Sequence, residues 1–279
     1  MNTHQVSKIS LSPDVVDGIV FWTKNPSPMM ERLNEMSSYT YYFQFTINPY
    51  GKDIEPNIPS KNDFVIPVFQ RLSDKIGAKK MIWRYDPIVL NDKYTISYHF
   101  DYFDKISRRL KDHLRKCTFS FLDMYKNTES NVRCLDLHAI SEEEMRILAY
   151  GFAQIAKGYG IELDTCSEVI DLSDMGIGHA HCIDKEIFEQ ICGYTLKLGK
   201  DKNQRNECSC DASIDIGAYN TCINGCRYCY ANSNSMIAAN NHLKHNPSSS
   251  LLFGDLSSSD IVTERKVYSC RDFQQQFEL

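Results

Sequence analysis

Short apolar runs alternate with amphipathic helical stretches along most of this chain, and that alternation constrains the fold more than any other feature. The runs are Ile19-Val20-Phe21-Trp22, Tyr41-Tyr42-Phe43-Gln44-Phe45, Met81-Ile82-Trp83, Thr118-Phe119-Ser120-Phe121-Leu122, Ile161-Glu162-Leu163-Asp164 and Ser213-Ile214-Asp215-Ile216. Each has strand length and strand composition. Between them lie helical patterns. Ser141 followed by Glu144 makes a capping box, and Met145, Leu148, Ala149, Phe152, Ile155 and Ala156 fall on one helix face. A second helix is expected over about Tyr98 to Leu114, with Phe103, Ile106, Leu110 and Leu114 as its stripe. A third runs from Phe69 through Leu72 to Ile76 and stops at Gly77. Asp184 caps a fourth, through Phe188 and Ile191 to Gly193. Such alternation implies right-handed crossovers and a parallel sheet. With these strand candidates and no Gly-x-Gly-x-x-Gly turn, the expected class is α/β, a (β/α) parallel barrel or partial barrel. It spans residues 1–245, and residues 246–279 form a serine-rich tail.

The chemistry-bearing motif is Cys222-Ile-Asn-Gly-Cys226-Arg-Tyr-Cys229, a Cys-x3-Cys-x2-Cys loop with Tyr228 before the last cysteine. Three thiolates this close can ligate three irons of a 4Fe–4S cluster. The fourth iron is then open, as the open position is in catalytic zinc sites. Zinc sites usually show paired Cys-x2-Cys units. Here only Cys226 and Cys229 make such a pair, so the spacing favours iron–sulfur over half a zinc site or free thiols. The motif resembles the cluster loop of radical S-adenosylmethionine enzymes, whose open iron chelates the methionine half of the cofactor. Ala212 to Gly217 reads as a strand before the loop, and Ser233 or Asn234 caps a helix after it. The motif sits near the end of this chain, whereas in those enzymes it lies near the start of the barrel. A closed barrel accommodates that permuted order by placing its last βα unit beside its first strand.

Four further cysteines suggest a second site. Cys208 and Cys210 precede the loop, Cys166 follows the fifth strand, and Cys182 lies in His179-Ala180-His181-Cys182. Gathered at one mouth, they suit a second iron–sulfur cluster or zinc. The competing reading is that Cys166 and Cys182 are small buried apolar residues.

In a parallel barrel, chemistry collects at the carboxyl ends of the strands. Here those ends carry Lys24 and Asn25, Gln44, Thr46 and Asn48, Arg84 and Asp86, Asp123, and Cys166 with Glu168. Lys24 and Arg84 can hold a carboxylate or phosphate. Asp86, Asp123 and Glu168 can bind ribose hydroxyls or a substrate amine. Singly, each is an ordinary loop residue or helix cap. As a set they are reasonable pocket residues, and Lys24, Asn25, Arg84, Asp86, Asp123 and Glu168 are the candidate cofactor-binding residues. Trp22 and Trp83 read as barrel packing.

The chain has 279 residues, of which 42% are hydrophobic and 24% charged, as in ordinary globular proteins. No apolar run reaches the length of a membrane span, and no signal-peptide pattern opens the chain. A net charge of −5 gives no general drive toward nucleic acid. Eleven cysteines without a secretory signal point to metal ligation in a reducing cytoplasm.

The segments Val20 to Pro26, Tyr42 to Thr46, Trp83 to Pro87 and Cys208 to Asn232 together resemble an uncharacterised bacterial family, a domain of unknown function with carboxyl-terminal cysteines similar to the radical S-adenosylmethionine cluster. The resemblance covers about Val6 to Asn246. It implies a cluster-binding cytoplasmic protein and a reductant of the flavodoxin or ferredoxin kind, and says little about substrate. Members begin with an extra strand bearing Ser-Arg-Arg-Thr-Asp, so the resemblance implies a chain starting inside the family domain. No Gly-Gly-Glu-like segment, the amino-group binder of the radical enzymes, follows a strand. Two function classes follow. One is a radical S-adenosylmethionine-type enzyme of unknown substrate. The other is a non-catalytic iron–sulfur or zinc protein for electron transfer, sensing or partner binding.

Overall fold

The computed structural model describes residues 5–272. In chain order its elements are β1 (Gln5–Ile9), β2 (Ile19–Thr23), α1 (Ser27–Met30), β3 (Tyr41–Thr46), α2 (Ile66–Ile76), β4 (Met81–Ile88), α3 (Ile96–Leu110) and β5 (Lys116–Phe121). They continue with α4 (Lys126–Val132), α5 (Glu142–Tyr159), β6 (Glu162–Thr165), β7 (Gly178–His179), α6 (Lys185–Cys192), α7 (Ser235–Leu243) and β8 (Ile261–Arg265). Strands β2 to β7 form one sheet in sequence order, every pair parallel.

Register divides the sheet into two faces. Phe43 opposite Met81 and Phe45 opposite Trp83 carry the apolar face. It is covered by Val68, Phe69 and Leu72 of α2, Phe103 and Ile106 of α3, and Leu148 and Phe152 of α5, all buried in one core. Phe103 and Phe152 stack with centroids 4.1 Å apart, and Trp83 stacks on Phe103 at 5.0 Å. Ring pairs like these add to the area-driven burial of each aromatic. The opposite face alternates apolar and polar: Tyr42, Gln44, Ile82, Arg84, Thr118 and Asp164 are all buried there. Ile187 and Phe188 of α6 pack on its Tyr42 and Ile82.

The helices follow their local signals. Ser141 and Glu144 form the reciprocal capping box of α5, and Gly160 ends that helix in the left-handed region. Asp184 accepts from Glu186 N and Ile187 N to start α6, and Asn234 accepts from Met236 N and Ile237 N to start α7.

Two expectations differ from the structure. No strand forms over Ser213–Ile216. Asp215 Oδ1 accepts from Gly217 N at 2.7 Å, a local turn that diverts the backbone from a ladder. The sixth strand is instead the two-residue β7 beside β6. Trp83 is fully buried, with Nε1 donating to Ile47 O at 3.0 Å, but Trp22 is 50% exposed. Trp22 stands on β2, the edge of the sheet, with no strand beyond it to cover the ring.

The serine-rich segment is tied back at several places, among them an antiparallel bridge of Arg271 to Leu196. β8 pairs in parallel with β1, from Gln5 opposite Ile261 to Ile9 opposite Arg265. Asp17 accepts from Ser269 Oγ and Cys270 N, each at 2.6 Å. Among the described residues no helix is long and apolar enough to cross a membrane.

The core carries one titrating group with a measurable consequence. His99 on α3 is fully buried; its Nε2 lies 2.9 Å from Val89 O and its Nδ1 2.8 Å from the Tyr85 hydroxyl. The neutral ring donates to the carbonyl and accepts from the phenol. Burial lowers its pKa to about 4, against the opposing pull of the Val89 carbonyl. Below its ordinary pKa, at about 6.5, the unfolded chain binds a proton that the folded chain refuses. The stability is therefore complete above about 6.5 and lost as pH falls toward 4. The His99 contribution to unfolding free energy should drop by ~1.4 kcal/mol per pH unit in that window, read as the difference between wild type and His99→Gln, because Glu168, pushed up to about 7 by burial, contributes with the opposite sign in both proteins. Urea melts from neutral pH down to about pH 5, above most carboxylate titration, check this; parallel pH curves for both proteins would sink it.

Candidate functional site

The carboxyl ends of the parallel strands bring one row of polar side chains together around Asp86. Arg84 Nε donates to Asp86 Oδ2 at 2.8 Å, and Ser120 Oγ donates to Asp86 Oδ1. Asn48 grips the backbone of the same residue, accepting from Asp86 N at 2.8 Å and donating to Asp86 O at 2.7 Å. Burial would raise the Asp86 pKa, but the Arg84 guanidinium and the Ser120 hydroxyl outweigh it and hold the carboxyl below its usual range. Arg84 itself is 4% exposed and reaches past Asp86 to donate from Nη1 to Cys182 Sγ at 2.9 Å.

On one side of Asp86 stands the cysteine loop, held by a buried charge network. Glu55 is 1% exposed. Lys24 Nζ reaches its Oε1 at 2.9 Å and Lys61 Nζ its Oε2 at 2.6 Å. The Tyr228 hydroxyl donates to the same carboxylate and accepts from Asn48 Nδ2 at 3.1 Å. Burial alone would raise the Glu55 pKa; the two ammonium groups and their hydrogen bonds hold it down. Burial likewise opposes the charge on Lys24, and Glu55 and Cys226 together keep that pKa raised. Lys24 also lies 5.3 Å from the centre of the Tyr228 ring. The aromatic inside the cysteine motif is thus the anchor of its loop.

The loop does not follow a strand of its own. It docks on the segment after β3, where Arg227 N donates to Ile54 O at 2.9 Å and Asn57 Nδ2 donates to Ile223 O at 2.7 Å. Gly225 has φ +69°, and a Cβ there would lie 3.1 Å from Asn57 Nδ2. Both facts favour glycine between the first two cysteines. Asn232 Nδ2 ties the loop's exit to Cys222 O at 2.6 Å, and Asn131 Nδ2 donates to Asn232 O at 3.1 Å. Cys222 is exposed, while Cys226 and Cys229 are half-buried. Burial pushes the Cys226 thiol up to about 11, against the pull of Lys24.

Donor chemistry fits a thiolate-ligated group here. Three free thiols share one loop, the half-buried Lys24 ammonium acts on Cys226 and Cys229, and Asn232 Oδ1 is buried without a hydrogen-bond partner among the described residues. Among the described residues no group of three or more His, Cys, Asp or Glu side chains is placed to hold a metal ion.

On the other side of Asp86 the structure brings Cys166, Cys182, Cys208 and Cys210 into one cluster. Cys182, Cys208 and Cys210 are buried with Ala180, and Cys166 packs against them. Cys166 Sγ lies 3.1 Å from Cys182 Sγ, and Ile183 N donates to Cys210 Sγ at 3.5 Å.

The remaining candidates hold local positions. Asn25 Oδ1 accepts from Ser27 N at 3.1 Å and Ser27 Oγ at 2.6 Å, which commits it to the turn into α1. Asp123 pairs with Arg205 at 2.6 Å on the surface. Glu168 Oε1 accepts from Phe121 N at 2.8 Å, and burial pushes its pKa up to about 7. Sequence reasoning missed Glu55 and Lys61. Glu55 lies in an irregular segment and Lys61 opens the short helical turn Lys61–Val65, and neither stretch carries a pattern that signals burial.

No curated protein and no solved structure matches the chain significantly. A family model described as a domain of unknown function, DUF1848, matches residues 1–231, and the chain belongs to that family.

Proposed function

We propose that the chain is an iron–sulfur protein of the radical S-adenosylmethionine type, acting on a substrate whose identity is open. Residues Cys222, Cys226 and Cys229 would hold a 4Fe–4S cluster, with thiol rotamers turned inward from those described. The observation that carries this reading is the docking of a three-thiol loop, through Tyr228, Glu55 and Lys24, at the carboxyl end of a parallel sheet. The consecutive order of the six parallel strands supports a partial barrel around that mouth. When bound and reduced, such a cluster supplies the electron that splits S-adenosylmethionine.

The chain's own residues would bind and orient. Lys24 balances negative charge beside Cys226. Asp86, fixed by Arg84, Ser120 and Asn48, presents a carboxylate to a ribose hydroxyl or an amine. Glu168 is suited to hold or release a proton near neutrality. Free thiols at all eleven cysteines suit a reducing cytoplasm and a flavodoxin- or ferredoxin-class reductant.

A second reading, a non-catalytic metal protein for electron transfer, sensing or partner binding, draws on a different observation. Arg84 and Asp86 spend their charges on each other and on Cys182. Anaerobic reconstitution with iron and sulfide, then reduction with S-adenosylmethionine, separates the two. Brown protein that yields 5′-deoxyadenosine is the expected result. Brown protein without that product favours the second reading, and failure to take up iron removes the first and leaves only the zinc form of the second.

A further inference from the structure

Cys166, Cys182, Cys208 and Cys210 come from three separate stretches of chain, yet they share one buried cluster. Cys166 leaves the end of β6, Cys182 follows β7, and the Cys208–Cys210 pair lies on the segment returning toward the cysteine loop. None is in a disulfide. Independent burial of small apolar residues gives no reason for four thiols to meet. The spacing is tight: Cys166 and Cys182 stand 3.1 Å apart, Cys182 adjoins Cys210, and Cys210 adjoins Cys208.

The surroundings suit an anionic metal–thiolate centre. Buried Arg84 donates to Cys182 Sγ at 2.9 Å and Ile183 N to Cys210 Sγ at 3.5 Å, the outer-shell N–H contacts that stabilise thiolate ligands. Tyr42 Oη and Gln44 Nε2 both donate to Cys182 O, at 2.7 and 2.9 Å, fixing that ligand's backbone. Gln44 Oε1 and Ser167 Oγ are buried beside the cluster without hydrogen-bond partners among the described residues.

We infer that these four cysteines form a closed tetrathiolate site for a single zinc ion, separate from the Cys222–Cys229 loop. Compactness selects the metal. Zinc bonds to sulfur at ~2.3 Å, so neighbouring ligand sulfurs in a tetrahedron lie ~3.8 Å apart. A cubane would spread its ligand sulfurs further. The thiols are described in contact with one another rather than around a common centre, so loading turns their rotamers inward and releases their protons. Zinc has no redox role here. It clamps the returning segment to the ends of β6 and β7, reinforcing the Asp211 N to Ile183 O bond of 3.0 Å.

The full chain, expressed with zinc in the medium and purified without chelator, should carry roughly one equivalent of zinc with sulfur-only ligation near 2.3 Å by X-ray absorption. The triple variant Cys222→Ala, Cys226→Ala, Cys229→Ala should keep that zinc. The double variant Cys208→Ser, Cys210→Ser should lose it to background. Absorption on the triple variant, which lacks the loop thiols, decides the ligand set even where the double variant fails to fold. Four outcomes overturn the inference: zinc-free wild-type protein, nitrogen or oxygen in the shell, zinc retained by the double variant, or a Cys166–Cys182 disulfide in freshly purified protein. Iron with acid-labile sulfide in the triple variant also overturns it, in favour of a cluster.

Discussion

Cys226→Ala should leave the reconstituted protein colourless and unable to make 5′-deoxyadenosine. Two remaining thiolates, Cys222 and Cys229, ligate too few irons to hold a cubane. Cys226 also lies within reach of the Lys24 charge and packs against both larger cores. The variant should stay folded, since only one partly buried sulfur is removed and the Tyr228 anchor remains. Cys134→Ala is the matched control, an exposed thiol in the turn after α4 whose loss should change neither iron nor product. Iron content, visible absorption and product assay check this together. Full iron content in Cys226→Ala would remove this cysteine from the ligand set.

Glu55→Gln should cost ~3–5 kcal/mol of stability, the range for removing one partner of a buried ion pair. The substitution leaves Lys24, with a side chain 14% exposed, beside a neutral amide, and it deprives the Tyr228 hydroxyl of a charged acceptor. The cost belongs to the two stranded cations, Lys24 and Lys61. Adding Lys24→Met should therefore restore part of the loss, because an apolar replacement removes one of the unpaired charges. Denaturant unfolding of the two single variants and the double closes the cycle. A loss below ~1 kcal/mol would show that solvent screens this pair as it does surface pairs.

Much of the frame was legible in the sequence because its signals are local. The aromatic and β-branched runs that became β2 to β6 carry strand composition within a few residues. Ser141, Asp184 and Gly77 mark helix ends through caps that involve only their near neighbours. The same locality explains the error at Ser213–Ile216. Alternation there suits a strand, but a strand exists only where a neighbour supplies a ladder, and Asp215 closes a turn instead. β7 is too short to leave a pattern, and Trp22 is exposed because strand order, not composition, puts β2 at the edge.

The three-cysteine loop was legible as a motif from spacing alone. What supports it was not: Tyr228 meets Glu55 across 173 positions of chain, and β1 meets β8 from opposite ends of the molecule. The four outlying cysteines were visible as residue types, and only the fold put Cys166 and Cys182 in contact and aimed Arg84 at them. Periods, caps and motif spacings are fixed by neighbours a few residues apart, so the sequence by itself determined the α/β alternation and the thiol loop. Which buried charge meets which partner depends on how the returning chain is laid across the sheet, and that the tertiary structure alone decided.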